Sequence, residues 1–135
     1  MIFLDTNVVI DLLGDRRPAV RRRLGEVQTS GGKVGISSIV LFELRFGVAN
    51  STRREDNERA LDALLGGGID VVPFDADDAT EAGALRALLR RAGREIGPYD
   101  LLIAAQARRR GATLVTHNIA EFGRVPGLDA VDWVG

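Results

Sequence analysis

Short apolar runs alternate with longer amphipathic segments along the chain. Apolar runs at 1–4, 33–37, 69–74 and 112–116 have the length of buried strands, and a weaker one lies near 130–134. In the segments between them, apolar residues recur every three or four positions, which is typical of one face of a helix. The pattern therefore predicts strands that alternate with helices.

Capping residues and glycines set the predicted ends of these helices. Ser37 or Ser38 caps the third helix, Asp75 caps the fifth, and Pro98 begins the sixth, which Gly111 stops. The six predicted helices span residues 6–13, 18–27, 38–49, 53–65, 76–92 and 98–110.

Alternating strands and helices favour an α/β fold with a mostly parallel sheet between helical layers. In such sheets the working site lies beyond the carboxyl ends of the strands. Asp5 directly follows the first predicted strand, and Thr116, His117 and Asn118 follow the late one. We therefore expect these residues near a site.

Two further acids break the apolar pattern of their helices. Glu43 shares a face with Val40 and Phe46, and Asp100 begins a face that continues through small apolar residues. Taken singly, each acid has a structural explanation. Asp5 can cap a helix, Asp100 can serve a helix dipole, and Glu43 can reach solvent or pair with an arginine.

Taken together, three acids at interior or strand-end positions need neutralisation, because each unpaired buried charge costs several kcal/mol. Shared protons, arginines or a divalent cation can supply it. A set of carboxylates favours Mg²⁺, with Mn²⁺ as a substitute. His117 is the single histidine and cysteine is absent, so a zinc site is disfavoured.

Composition narrows the class of protein without naming it. The 135 residues, 45% of them hydrophobic, suit one domain spanning 1–135. No secretory signal or membrane-spanning run is visible, and disulfides are excluded, so a cytoplasmic location is expected. The net charge of -1 argues against non-specific coating of nucleic acid. Lys33 is the only lysine, and the arginine run 108–110 is interpreted as dipole compensation and a solvated surface.

Four ordered motifs resemble PIN-domain ribonucleases, and closely the VapC-type toxins of bacterial toxin–antitoxin systems. They are "MIFLDTNVVID", "ISSIVLFELRFGV", "IGPYDLLIAAQA" and "LVTHNIAEFGRVPGL", and they cover almost the whole chain. The resemblance implies a central parallel sheet flanked by helices, with an acidic pocket at its carboxyl ends.

The resemblance also implies roles for particular residues. Asp5, Glu43 and Asp100 match the catalytic and metal-binding acids, and Thr6, Asn7 and Thr116 match positions that shape the site. At the fourth acidic position, where many members carry aspartate, this chain has the neutral Asn118, and Glu121 follows three residues later. Asn118 and Glu121 are further candidate ligands.

By the same resemblance, the expected activity is Mg²⁺-dependent hydrolysis of RNA, leaving 5′-phosphate and 3′-hydroxyl ends. The implied partners are a VapB-like antitoxin that covers the acidic groove and a second copy of the chain in a homodimer. The apolar residues of "VVIDLL" and "VLFELRFGV" are expected mainly in the core, with an antitoxin or dimer contact as the alternative.

Two other classes of α/β protein also carry functional aspartates at the ends of strands. A haloacid dehalogenase-type phosphotransferase needs a second aspartate where this chain has Asn7, and a receiver domain needs a late lysine. The remaining alternative is a PIN fold that binds RNA or a protein without cutting.

Overall fold

A computed structural model describes residues 1–134 and contains five strands in one sheet, together with seven helices. The strands are β1 (Ile2–Leu4), β2 (Val34–Ser37), β3 (Ile69–Val72), β4 (Thr113–Val115) and β5 (Asp129–Val131). The helices are α1 (Thr6–Gly14), α2 (Pro18–Thr29), α3 (Ser38–Ala49), α4 (Arg54–Leu65), α5 (Ala76–Arg91), α6 (Pro98–Arg109) and α7 (Ile119–Phe122).

The sheet is parallel throughout, with the strand order β3-β2-β1-β4-β5. Because crossovers between parallel strands are right-handed, α1–α4 lie on one face and α5–α7 on the other. The three-layer α/β/α fold predicted from the sequence is confirmed. The chain runs outward from β1 in one direction and from β4 in the other, so these two central strands form the point where the order reverses.

The site lies where the strand order reverses, between β1 and β4. The helices that follow β1 and β4 leave toward opposite faces, which opens a crevice at the carboxyl ends of the two strands. The Asp5 N–H donates to the carbonyl of Val115 at 2.9 Å, so the ends of β1 and β4 lie side by side. Residues just after these strands are thereby brought together from distant parts of the sequence.

Local signals set most element boundaries as expected. Ser37 is the cap of α3, since its side chain accepts from the Ile39 N–H, and Asp75 and Asp78 cap α5 reciprocally. The short helix α7 was not predicted, because four residues are too few to show a period.

One expectation about side chains holds only in part, and another was wrong. Most apolar residues of α1 and α3 lie in the core as expected, but Phe42 and Phe46 are 52% and 62% exposed. The arginines that end α6 are not simply solvated: Arg109 and Arg110 both pair with Asp78, which is fully buried. A periodic pattern reports which residues share a face, but not whether another element covers that face.

Among the helices found in residues 1–134, none has the length and apolar character needed to cross a lipid bilayer.

Candidate active site

Asp5 lies at the centre of the crevice and is only 4% exposed. Its Oδ1 accepts a hydrogen bond of 2.8 Å from the Thr6 N–H, which makes it the cap of α1. Its Oδ2 accepts one of 2.7 Å from the Thr116 hydroxyl. The capping explanation is thus correct, but it uses only one carboxylate oxygen. The second is held from the opposite half of the sheet.

Glu43 is held beside Asp5 by Thr6, the residue that follows Asp5 in the chain. The Thr6 hydroxyl donates to Glu43 Oε1 at 2.7 Å, so α1 and α3 meet at this contact. Arg45, the arginine nearest to Glu43 in the sequence, bonds to Asp62 instead. Glu43 is partly exposed rather than fully interior. Its carboxylate therefore borders the crevice.

Asp100 and Glu121 come together around Gly97, where α6 begins. The Gly97 N–H donates to Glu121 Oε1 at 2.7 Å. A Cβ atom at Gly97 would lie 3.5 Å from that oxygen and 3.7 Å from Asp100 Oδ2. Glu121 is thus placed next to Asp100.

Asn118 supports Glu121 through its amide. Its Nδ2 donates to Glu121 Oε2 at 2.7 Å, and its backbone N–H donates to the Thr116 hydroxyl oxygen at 3.0 Å. The hydroxyl of Thr116 therefore accepts from Asn118 while it donates to Asp5. One short turn after β4 positions two of the site's carboxylates.

Burial and neighbouring negative charges raise the pKa of two carboxyl groups of the site, Asp5 and Asp100. Burial, followed by the negative charges of Asp5, Glu121 and Glu43, raises the pKa of Asp100 from 3.8 to about 7. Burial also raises the pKa of Asp5, although the hydrogen bonds from Thr116 and Thr6 act in the opposite direction. Such mutual repulsion stabilises protonated forms unless a cation neutralises the cluster.

The donor set fits a hard divalent cation in its chemistry. It consists of carboxylate oxygens, supplemented by the amide oxygen of Asn118, and these are the donors that Mg²⁺ and Mn²⁺ prefer. Within the part of the chain that the structure describes, however, no three His, Cys, Asp or Glu side chains already form a ligand set. The hydrogen bonds from Thr6 and Asn118 occupy oxygens that a cation would compete for.

A second polar cluster next to the site was missed from the sequence. The ring of His117 lies between Asp11 on α1 and Asp132 after β5, with one ring nitrogen facing each carboxylate. The backbone N–H of His117 lies 3.5 Å from Asn7 Oδ1. The available signal was Asp11, an acid within the apolar run "VVIDLL". This cluster ties the turn after β4 to α1.

Comparison with known proteins adds three findings. The family model described as the PIN domain matches residues 2–128. A curated relative, the tRNA(fMet)-specific endonuclease VapC of Shigella flexneri, is 42% identical over 130 residues, which is 96% of each chain.

The third finding concerns solved structures. One solved structure is the crystal structure of VapBC2 from Rickettsia felis bound to a DNA fragment from the VapBC2 promoter. One of its chains superposes on this chain with a TM-score of 0.92 at 37% identity. The match covers 98% of this chain and 99% of that one. A chain of DNA-bound VapBC from Salmonella typhimurium gives 0.90 at 35% identity, with 98% and 99% covered.

Proposed function

This chain belongs to the PIN-domain family, and we propose that it is a single PIN domain over residues 1–135 that acts as the toxin of a VapBC-type toxin–antitoxin pair. Its activity is hydrolysis of RNA phosphodiester bonds, and it depends on a divalent cation, Mg²⁺ or its substitute Mn²⁺. The observation that carries the proposal is the cluster of Asp5, Glu43, Asp100 and Glu121 at the carboxyl ends of β1 and β4.

Carboxylates alone would repel a phosphodiester, so the cluster needs a cation to act on RNA. A bound Mg²⁺ would polarise a phosphate oxygen and lower the pKa of a water molecule toward neutrality. Asp5 and Asp100 are the residues we assign to holding it, since both are buried or partly buried and mutually repelled. Asn118 and Glu121 are secondary candidates at the same edge.

The remaining residues act by orientation. Glu43, fixed by the Thr6 hydroxyl, would orient the attacking water in line with the bond to the leaving 3′ oxygen. Thr116 keeps Asp5 in place through the bond to Oδ2, and Asn7 faces the turn that carries Thr116. Ends bearing 5′-phosphate and 3′-hydroxyl are the expected products.

The relative from Shigella flexneri is named for tRNA(fMet), and it is 42% identical to this chain. Initiator tRNA is therefore the first substrate to test. The two solved structures compared above are described as VapBC bound to DNA. We accordingly propose a VapB-like antitoxin as partner, a homodimer that assembles with it, and a cytoplasmic site of action.

Calorimetric titration of Mn²⁺ into antitoxin-free protein tests this function, combined with cleavage of initiator tRNA, other tRNAs and ribosomal RNA on the same samples. The variants are Asp5→Asn and Asp100→Asn, with Asp70→Asn as control because Asp70 is an exposed acid on β3. We expect the first two to lose metal binding and cleavage together and the control to keep both. Folded wild-type protein that bound no metal would contradict the mechanism and leave a PIN fold that binds without cutting.

A further inference from the structure

Two exposed aromatic rings border the carboxylate cluster. Phe42 immediately precedes Glu43 on α3, and Tyr99 immediately precedes Asp100 on α6. The rings are 52% and 47% exposed, and their centroids lie 5.5 Å apart with an interplanar angle of 62°. Large rings that stay half-exposed forgo part of the stabilisation that full burial of such a side chain provides.

We propose that this pair, Phe42 and Tyr99, is a platform for an unpaired nucleobase adjacent to the phosphate that is cut. The assignment rests on the RNA-cleaving function proposed above. It specifies how that site would grip its substrate, since recognition of single-stranded RNA relies on bases that stack on aromatic side chains.

The first support is position. Consecutive Cα atoms are about 3.8 Å apart, so each ring is anchored one residue from an acid of the cluster. The two rings come from different helices, α3 and α6, and they contact each other. A nucleotide whose phosphate reached the carboxylates would therefore bring its base to the rings.

The second support is the geometry of the pair. Rings inclined at 62° meet edge to face rather than stacking on each other, which is a favourable arrangement for an aromatic pair. The contact restrains both rings while substantial ring surface stays open to solvent. A restrained open ring face suits stacking, because little side-chain entropy remains to be lost on binding.

The third support is charge. Asp5, Glu43, Asp100 and Glu121 make this edge of the molecule strongly negative. A phosphate is repelled here except where a cation neutralises the acids, whereas a neutral base is not. A base is thus the part of a nucleotide best suited to occupy the space over the rings.

Phe46 provides a matched control. It lies one turn beyond Phe42 on α3 and is 62% exposed, but its sequence neighbours are not site acids. A protein partner laid along α3 would use Phe42 and Phe46 alike. A base held beside the cut phosphate would use Phe42 and Tyr99 and leave Phe46 free.

The test uses a seven-nucleotide RNA with 2-aminopurine at its centre and uridines on either side, because stacking quenches the fluorescence of 2-aminopurine. Asp5→Asn protein, in which cleavage is expected to stop, carries in addition Phe42→Leu, Tyr99→Leu, Tyr99→Phe or Phe46→Leu. Stacking on an aromatic ring is worth ~1–3 kcal/mol per base, or roughly 5- to 150-fold in affinity. Circular dichroism and thermal unfolding verify that each variant is folded.

We expect Phe42→Leu and Tyr99→Leu to bind the RNA about tenfold more weakly and to lose the quenching of 2-aminopurine. The expected loss of affinity lies in the lower part of the roughly 5- to 150-fold range because leucine remains apolar. Tyr99→Phe and Phe46→Leu should behave like the parent. In otherwise wild-type protein, Phe42→Leu should raise KM for tRNA with little change in kcat.

Unchanged quenching and affinity in Phe42→Leu would overturn the platform. So would a joint effect of Phe42→Leu and Phe46→Leu on self-association or on antitoxin affinity with none on RNA, because the rings would then belong to a protein interface. Ring-dependent quenching by a wild-type protein that cuts no RNA would support the platform while refuting the nuclease function. The two failures are thereby distinguishable.

Discussion

Asp100→Asn should stabilise the metal-free protein while it abolishes cleavage. The ordinary pKa of 3.8 is raised to about 7 in the folded state by burial and by neighbouring acids. The folded protein therefore holds the Asp100 proton more tightly than the unfolded chain does. The stabilisation is complete below the unfolded pKa near 4 and is lost as pH rises through about 7.

The size of this effect follows from the shift. A difference of about 3 pKa units, at ~1.36 kcal/mol per unit, gives an upper value of ~4 kcal/mol at pH 8. Asp100 is partly exposed, so solvent screening reduces this to ~2–4 kcal/mol. Asparagine has nearly the same shape as aspartate and cannot ionise. The variant should therefore keep its stability as the pH rises, whereas wild type loses stability when Asp100 deprotonates.

Urea unfolding at pH 4 and pH 8 measures the effect, with EDTA or with Mg²⁺ present, for wild type, Asp100→Asn and the exposed control Asp70→Asn. In EDTA at pH 8 the free energy of unfolding of Asp100→Asn should exceed that of wild type by ~2–4 kcal/mol. At pH 4 the gap should shrink below ~1 kcal/mol. Mg²⁺ should stabilise wild type more than the variant, because it neutralises the charge that the variant lacks.

The reasoning is refuted if Asp100→Asn is less stable than wild type at pH 8 in EDTA, because mutual repulsion would then not dominate at this position. Equal stabilisation by Asp70→Asn would refute it as well, since the effect would then reflect net charge rather than the cluster.

Three further predictions concern single side chains. Burial raises the pKa of Asp78, but hydrogen bonds from Arg110, the Asp75 N–H and Arg109 outweigh it and lower the pKa to about 2. Asp78→Asn should therefore lower the free energy of unfolding at pH 7, measured in urea, by at least ~2 kcal/mol, with the exposed neighbour Asp77→Asn as control. The wild-type contribution is present above pH ~4 and is lost as pH falls through ~2. Thr116→Val should cut single-turnover tRNA cleavage by about tenfold or more, because it leaves a buried oxygen of Asp5 unpaired, and Thr116→Ser should retain most activity. Glu121→Gln should weaken Mn²⁺ binding in calorimetry by about tenfold, whereas unchanged affinity would assign Glu121 to supporting the start of α6.

Much of the local structure was predictable because its causes are local. Ser37, Asp75 and Pro98 mark helix starts by the bonds they make or cannot make with the nearest N–H groups, and those starts agree with the structure. The pattern of alternating strands and helices similarly requires a parallel sheet, whose carboxyl ends carry Asp5 and Thr116.

Contacts between distant residues were not predictable in this way. Arg109 and Arg110 appeared to be a solvated run, yet they neutralise the buried Asp78 some thirty residues earlier. His117 appeared to be an isolated histidine, yet it bridges Asp11 and Asp132. Each contact depends on which helices and strands pack together. The residues close to it in the sequence do not indicate that packing.

The sequence by itself determined the elements, their parallel arrangement and the identity of the acids that need neutralisation, since periodicity, capping and the cost of buried charge act over a few residues. Only the tertiary structure decided which acids meet. The order β3-β2-β1-β4-β5 places the ends of β1 and β4 side by side. Asp5 can therefore accept a hydrogen bond from the hydroxyl of Thr116, although 111 positions separate the two residues in the sequence. Desolvation and charge repulsion depend on distance in space, so the raised pKa of Asp100 arises only when packing brings the carboxylates together.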